Sequence, residues 1–261
     1  MNANSRINAD PSVFRCFVLT IKDATHPRVL NAKAQLDTLG LDYEIFPGVM
    51  PADIDNHDYY SPLGNRILMK RALSDGEIAC YVSHRRMWQA FLDSGADHAL
   101  FLEDDFGIVD KTALMSSIND CLAFSGTWDV IKLFDYNPKR VVHNRSLGST
   151  RLVGYKYPAS GNVGYLMNRK AARSLLARKR FARPVDEDMA HMWEFDIRIW
   201  SVVPNPLVEI SNKLGGSSIE TGRVLTKRGK SIARSLWGNV LQAWKLGNSI
   251  RHRRKMVVED R

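Results

Sequence analysis

The sequence predicts an α/β fold centred on a Rossmann-type, mostly parallel sheet flanked by helices, with a basic amphipathic helical tail appended. Three observations carry that expectation. The chain opens as strand, helix, strand, an order that favours parallel pairing. Short apolar runs then alternate with stretches of helical periodicity as far as about Val203. One of those runs, Ala99-Leu100-Phe101-Leu102, ends in Glu103-Asp104-Asp105, and open α/β sheets bind ligands at the carboxyl ends of their strands.

The elements follow in order. Phe14 to Ile21 is apolar and rich in β formers, hence a strand. Pro27 then opens a helix that runs to about Leu39 and closes at Gly40. Tyr43 to Phe46 is the second strand, ended by Pro47-Gly48. Arg28, in the first turn of the helix, stands beside the end of the first strand. Met50 to Arg66 is rich in Pro, Asp, Asn and Tyr and reads as an irregular loop. Ser74-Asp75-Gly76-Glu77 is a capping box, and its helix reaches about Ser94. Ile78, Tyr81, Val82, Trp88, Phe91 and Leu92 form its apolar arc. Arg85 falls inside that arc and so calls for an anionic partner. His84, at the arc's edge, reads as a core histidine.

Further on, Lys111 to Phe124 is helical, Trp128 to Phe134 is a buried strand, and Asn137 to Ser149 is polar and reads as a loop. Ser160 to Met167 is a tight turn into a strand. Gly161 and Gly164 there imply close approach of backbone to a ligand or to a neighbouring strand. A helix from Arg169 to Ala177 and a last strand from Ile197 to Val203 complete the body.

Composition narrows the function classes. The 261 residues, 44 % hydrophobic, can bury a large core. Cys16, Cys80 and Cys121 are odd in number and widely spaced, so reduced thiols are expected rather than a disulfide framework or zinc site. Met1 to Pro11 has no apolar core of signal-peptide type, and no apolar run reaches the length of a membrane span. A soluble or peripheral cytoplasmic protein is expected. The net charge is +9, and residues 222–261 hold eleven Lys+Arg against two Asp+Glu. The whole basic excess therefore lies in the tail, which argues against a nucleic-acid surface spread over the fold.

Two acidic clusters carry the chemistry. Three carboxylates at the mouth of a buried strand are costly unless a cation neutralises them, so Glu103-Asp104-Asp105 points to a divalent metal bridging to a phosphate-bearing substrate. A solvated acidic turn is the alternative. Asp186-Glu187-Asp188, with His191 beyond, suits a metal-assisted transfer in which one cluster holds the ion and the other supplies a base. A helix N-terminus that favours carboxylates also accounts for this second cluster.

The chain divides into a body, 1–221, and a tail, 222–261. If Lys230 to Lys245 is helical, Ile232, Leu236, Trp237, Val240, Leu241 and Trp244 share half the wheel, and Arg251-His252-Arg253-Arg254-Lys255 follows. Such a helix reads as an anchor on an anionic membrane surface, or as a helix docked on the body with a solvated basic end.

Several segments in this order resemble the family-25 glycosyltransferases of lipopolysaccharide and lipooligosaccharide biosynthesis. They are Val18-Leu19-Thr20-Ile21 with Arg28, Gly76-Glu77-Ile78-Ala79-Cys80-Tyr81-Val82-Ser83-His84 with Trp88, Leu102-Glu103-Asp104-Asp105, Trp128 to Leu133, Gly161 to Tyr165, and Pro184-Val185-Asp186. The likeness covers roughly residues 14 to 215 and leaves out the tail. It implies a GT-A-like fold, a UDP-hexose donor (galactose or glucose), Mn²⁺ or Mg²⁺, and inverting transfer to a lipid-linked oligosaccharide acceptor on the inner face of a bacterial inner membrane.

By the same resemblance, Glu103, Asp105 and His191 are the metal candidates. Thr20, Arg28, Glu77, Ser83, His84, Asp104, Lys132 and Gly161 are donor-binding candidates, and Asp186 and Asp188 are candidates for the base. Glu103 replaces the first aspartate of the Asp-x-Asp pattern, so the ligand expectation rests more on Asp105. Arg85 and Arg86 depart from the family pattern. A nucleotidyltransferase is disfavoured because no Gly-rich loop follows the first strand, and a non-catalytic membrane-bound nucleotide or saccharide binder is the alternative outside enzymes.

Overall fold

A computed structural model describes residues 13–54, 59–216 and 232–259. The polar N-terminus to Pro11, part of the Met50–Arg66 segment and residues 222–231 of the tail lie outside them. The strands are β1 (Phe14–Thr20), β2 (Glu44–Pro47), β3 (His98–Glu103), β4 (Phe106–Ile108), β5 (Val130–Lys132), β6 (Val141–Leu147), β7 (Thr150–Tyr155), β8 (Gly164–Asn168), β9 (Ile199–Val202) and β10 (Leu207–Glu209). The helices are α1 (Pro27–Asp37), α2 (Pro62–Leu68), α3 (Asp75–Asp93), α4 (Lys111–Ala123), α5 (Arg169–Leu176), α6 (Val185–Ala190) and α7 (Ile232–Glu259).

Eight strands form one sheet in the order β2-β1-β3-β8-β5-β9-β7-β6, and β4 pairs with β10 in a separate ribbon. Parallel pairing joins β1 to β2, β1 to β3 and β5 to β9, whereas β8 and β7 run against their neighbours. Six of the eight strands thus point one way. The carboxyl ends of β1, β3 and β5 consequently open on the same edge, carrying Thr20, Glu103 and Lys132.

The sheet is covered on both faces, as its alternating side chains dictate. Phe17, Phe101, Tyr165 and Met167 face α3 and α5 in one cluster with Trp88, Phe91 and Leu175. Val18, Leu100, Leu102, Ile131 and Leu166 face the other way, toward Leu36 of α1 and Ile118 of α4. The capping box of α3 is present in full, and Cys16, Cys80 and Cys121 are thiols outside any disulfide.

Three expectations are corrected. Asn137 to Ser149 is not a loop, because Val141–Leu147 is an edge strand paired with β7. It is exposed along most of its length, so it shows no apolar alternation. Met50 to Arg66 is not irregular throughout, since Ser61 caps α2 through the Gly64 amide. Among the described residues Arg85 meets no carboxylate; it donates to the carbonyls of Leu176 and Arg178 at 3.2 and 2.8 Å. The negative end of the α5 dipole serves in place of an anion. Gly164 fulfils the close-approach expectation, because a Cβ there would collide with Leu207 and meet Leu102.

Candidate active site

Asp104 and Asp105, just past β3, are both buried, at 6 % and 8 % exposed. Asp104 is fully engaged. Its Oδ2 accepts from the Thr20 hydroxyl at 2.5 Å, and its Oδ1 accepts from Arg28 at 2.9 Å. The same Arg28 nitrogen lies 3.3 Å from Asp105 Oδ2, while its other terminal nitrogen donates to the Gly216 carbonyl. Pro27 at the helix start and the His26 cap, which accepts from the Arg28 amide, hold this arginine over the strand ends.

Asp105 Oδ1 is buried and has no hydrogen-bond partner among the described residues. Burial first, then the charges of Glu103, Asp104 and Glu209, push the Asp105 carboxyl up to about 7 against the pull of Arg28. A buried carboxylate oxygen is a hard donor, whose chemistry would fit Mg²⁺ or Mn²⁺ rather than a soft metal.

Glu103 turns to the other side of the strand. His84, fully buried on α3, has Nδ1 2.9 Å from the Tyr165 hydroxyl and Nε2 3.3 Å from Glu103 Oε1. Trp88 donates its indole N–H to the Tyr165 oxygen at 2.8 Å. The network assigns the Tyr165 proton to Nδ1 and leaves the histidine N–H on Nε2, donating to Glu103. Among the described residues, Cys80, His84 and Glu103 form the one group of three such side chains whose ligand atoms all lie within 4.8 Å of one another.

Across the mouth stand Lys132, Gly161 and Asp186. Lys132, 2 % exposed, donates to the carbonyls of Ala159 and Ser160 at 2.5 and 3.0 Å. Burial holds its ammonium below the usual lysine range, opposed by Asp135, Asp186 and Glu103. Gly161, at φ +85°, donates its amide to Asp186 Oδ2 at 3.3 Å. The left-handed φ is why glycine stands here. Beside it Asn162 Nδ2 is buried, a donor with no acceptor among the described residues.

The structure therefore brings together Thr20, Arg28, His84, Glu103, Asp104, Asp105, Lys132, Gly161 and Asp186. It places four others elsewhere. Glu77 caps α3 and grips Arg71 through two 2.5 Å bonds. Ser83 donates to the Ala79 carbonyl and accepts from the Val49 amide, a clamp between α3 and the chain after β2. Asp188 is fully buried and accepts from Tyr81, Arg183 and Arg178 at 2.7, 3.0 and 3.2 Å, so it serves the core. His191 lies between Trp193 and Trp244 with Nδ1 2.7 Å from the Glu187 carbonyl. Burial, then Arg183, pushes its imidazole down to about 3.

Sequence reading missed Asp135. It is buried just beyond β5 and accepts from Tyr155, Ser201 and Asn205 at 3.2, 2.8 and 3.0 Å. A lone acid after the apolar run Val130 to Phe134 was its only signal.

The sequence model described as glycosyltransferase family 25 (LPS biosynthesis protein) matches residues 14–189. The chain is 29 % identical to a probable inactive glycosyltransferase 25 family member 3 of Rattus norvegicus, over 70 % of this chain and 32 % of that protein. It is 25 % identical to procollagen galactosyltransferase 1 of Danio rerio, over 72 % of this chain and 31 % of that one. The chain thus spans about a third of the length of these curated relatives. Among solved structures it is similar to A197 from STIV, with TM-score 0.41 and 12 % identity over 72 % of this chain and 81 % of the other.

Proposed function

Because the chain belongs to glycosyltransferase family 25, we propose that it transfers a hexose, galactose or glucose, from a UDP-sugar to a hydroxyl of a lipopolysaccharide-core or lipooligosaccharide acceptor, with inversion, on a GT-A-like fold. The observation that carries this is the buried Oδ1 of Asp105 at the carboxyl end of β3, without a partner among the described residues. Asp105 would hold Mn²⁺ or Mg²⁺, while Glu103, expected as a second ligand, faces His84 on the other side of the strand. A bound divalent ion would neutralise the charge that develops on the departing UDP diphosphate. His191 is left out of this set by its position against Trp193 and Trp244.

The chain's own groups do the rest. Arg28 orients the acidic pair and brings a cation to the mouth where diphosphate charge grows. Thr20 fixes Asp104 so that one carboxylate of the triplet is held still. The buried Asn162 amide offers a donor to a sugar or phosphate oxygen. Asp186 is the base: it is partly exposed, and it accepts from the backbone amides of Gly161 and Glu187. It would take the proton of the acceptor hydroxyl on the face opposite the leaving group. Galactose is favoured as far as a relative's name, procollagen galactosyltransferase, bears on the donor.

UDP release from a panel of UDP-sugars, with and without Mn²⁺, tests the reading. Metal-dependent release from one sugar alone supports it and names the donor. UDP binding without metal dependence and without turnover would instead favour a non-catalytic binder.

A further inference from the structure

Helix α7 is docked by its polar side and turns its apolar side outward. Toward the body, Lys245 Nζ donates to both Glu187 carboxylate oxygens at 2.7 and 2.8 Å. Ser249 donates to the Lys156 carbonyl at 2.7 Å, and His252 Nε2 lies 2.9 Å from the Ile197 carbonyl. Lys245, Ser249, His252 and Arg253 are all buried. Toward solvent stand Leu236, 61 % exposed, Val240, 54 %, Trp237, 47 %, and Trp244, 43 %. A helix that packed for its own stability on a soluble body would show the reverse.

A second element continues this surface. The Trp237 indole N–H donates to the Ile67 carbonyl of α2 at 2.7 Å, and Leu63 and Ile67, one helical turn apart, are exposed at 71 % and 49 %. Gly238 lets the Lys70 side chain cross α7, because a Cβ there would collide with it. Two helices thus present one apolar face, larger than isolated surface leucines would make.

The charge on this face decides what covers it. Neither α2 nor residues 232–258 contain any Asp or Glu. Arg66 and Lys70 are exposed beside the apolar stripe, and Arg251 and Arg254 are exposed further along α7. Two copies of such a face would set like charges against each other, whereas an anionic bilayer supplies both the apolar phase and the counter-charge. Among the described residues, no helix is long and apolar enough to cross a membrane.

We propose that α2 and the outward stripe of α7 form one docking surface that lies in the interface of an anionic lipid bilayer, with Trp237 and Trp244 at headgroup depth. The surface stands apart from the transferase reading. Where that reading holds, Lys245 ties the docked helix to Glu187, next to the candidate base Asp186, which keeps the site beside a lipid-borne acceptor.

The test is co-sedimentation of the full chain with vesicles of phosphatidylcholine alone and with vesicles holding roughly one part in three phosphatidylglycerol. Binding to the anionic vesicles is expected, weakening with salt. The triple variant Leu63→Ser, Leu236→Ser, Val240→Ser should keep the wild-type thermal midpoint and lose affinity at least tenfold. The pair Arg66→Gln, Lys70→Gln should lose roughly thirtyfold on anionic vesicles, at about a kilocalorie per mole for each basic residue. Absence of wild-type binding, or a triple variant that binds as wild type does, overturns the proposal. So does a lipid-free dimer, seen by light scattering, that the triple variant breaks, since the face would then join two copies.

Discussion

Replacing Asp105 by asparagine should stabilise the metal-free protein while abolishing its turnover. The native carboxyl is raised from 3.8 to about 7 by burial and by Glu103, with Arg28 opposing. A raised acid favours the protonated fold, so its cost is present in full above pH 7 and fades as pH falls toward 3.8. At pH 8 the shift of about three units corresponds to about 4 kcal/mol, at ~1.36 kcal/mol per unit. Asparagine removes the charge yet keeps an oxygen for Arg28. The variant's thermal midpoint should therefore exceed that of wild type by roughly 8–16 °C at pH 8, at 2–4 °C per kcal/mol for a chain of this size, and hardly at all at pH 4. Saturating Mn²⁺ should close the gap by raising wild type alone. Scanning calorimetry at both pH values, with and without the ion, reads all of this. A variant less stable than wild type at pH 8, or a gain equal at both pH values, would refute the account of Asp105 as a buried carboxylate open to a cation.

Other outcomes follow from the same geometry. Asp186→Asn should lower turnover roughly 10²- to 10⁴-fold with the donor KM unchanged, measured as UDP release in the presence of acceptor, and activity above a tenth of wild type would remove it as the base. Asp188→Ala strips a fully buried acceptor from Arg183 and Arg178 and should cost about 3 kcal/mol in urea unfolding, while folded protein keeps its turnover. His191, held down to about 3 by burial and Arg183, resists the proton that the unfolded chain accepts near 6.5, so it supports the fold above that pH and loses its contribution as pH falls. His191→Gln should accordingly retain about 3 kcal/mol more of its neutral-pH stability at pH 4 than wild type does, and parallel acid limbs would contradict this.

The body was legible where burial writes itself into composition. β1 and β3 are apolar because both of their faces are covered, and α3 announces itself through Ser74 and Glu77. β6 left no such trace, since this edge strand fills its half-buried face with His143 and Arg145 and so shows no apolar alternation. The acidic end of β3 was legible as a candidate site, because three carboxylates after a buried strand are costly without a positive partner, and Arg28 supplies one to Asp104 and Asp105. Its inner arrangement was not: Thr20 and Arg28, 84 and 76 residues away from Asp104, settle which carboxylate is satisfied and which is left open.

The second acidic cluster shows why residue type alone could not assign roles. Asp186 and Asp188 are two residues apart, about 200° on a helix, so only one can face the mouth. Gly161 takes Asp186, and Arg178 and Arg183 take Asp188 into the core. Glu187, between them, faces α7 and receives Lys245. One six-residue helix therefore offers one acid to the site, one to the core and one to the tail. The tail's facing follows from that last pairing. Periodicity identified the apolar stripe of α7 but not the direction it points, and the Lys245–Glu187 bond holds the polar side on the body, leaving Trp237 and Trp244 at its border, half exposed while still touching Ile67 and His191. A charge reversal, Glu187→Lys, sets two cations against each other at this contact: it should release α7 and lower protection of the 236–254 amides in hydrogen exchange by at least tenfold, and leave β3 and β5 protected. Unchanged protection of α7 would mean that the remaining polar contacts, Ser249 and His252, set its facing without Lys245.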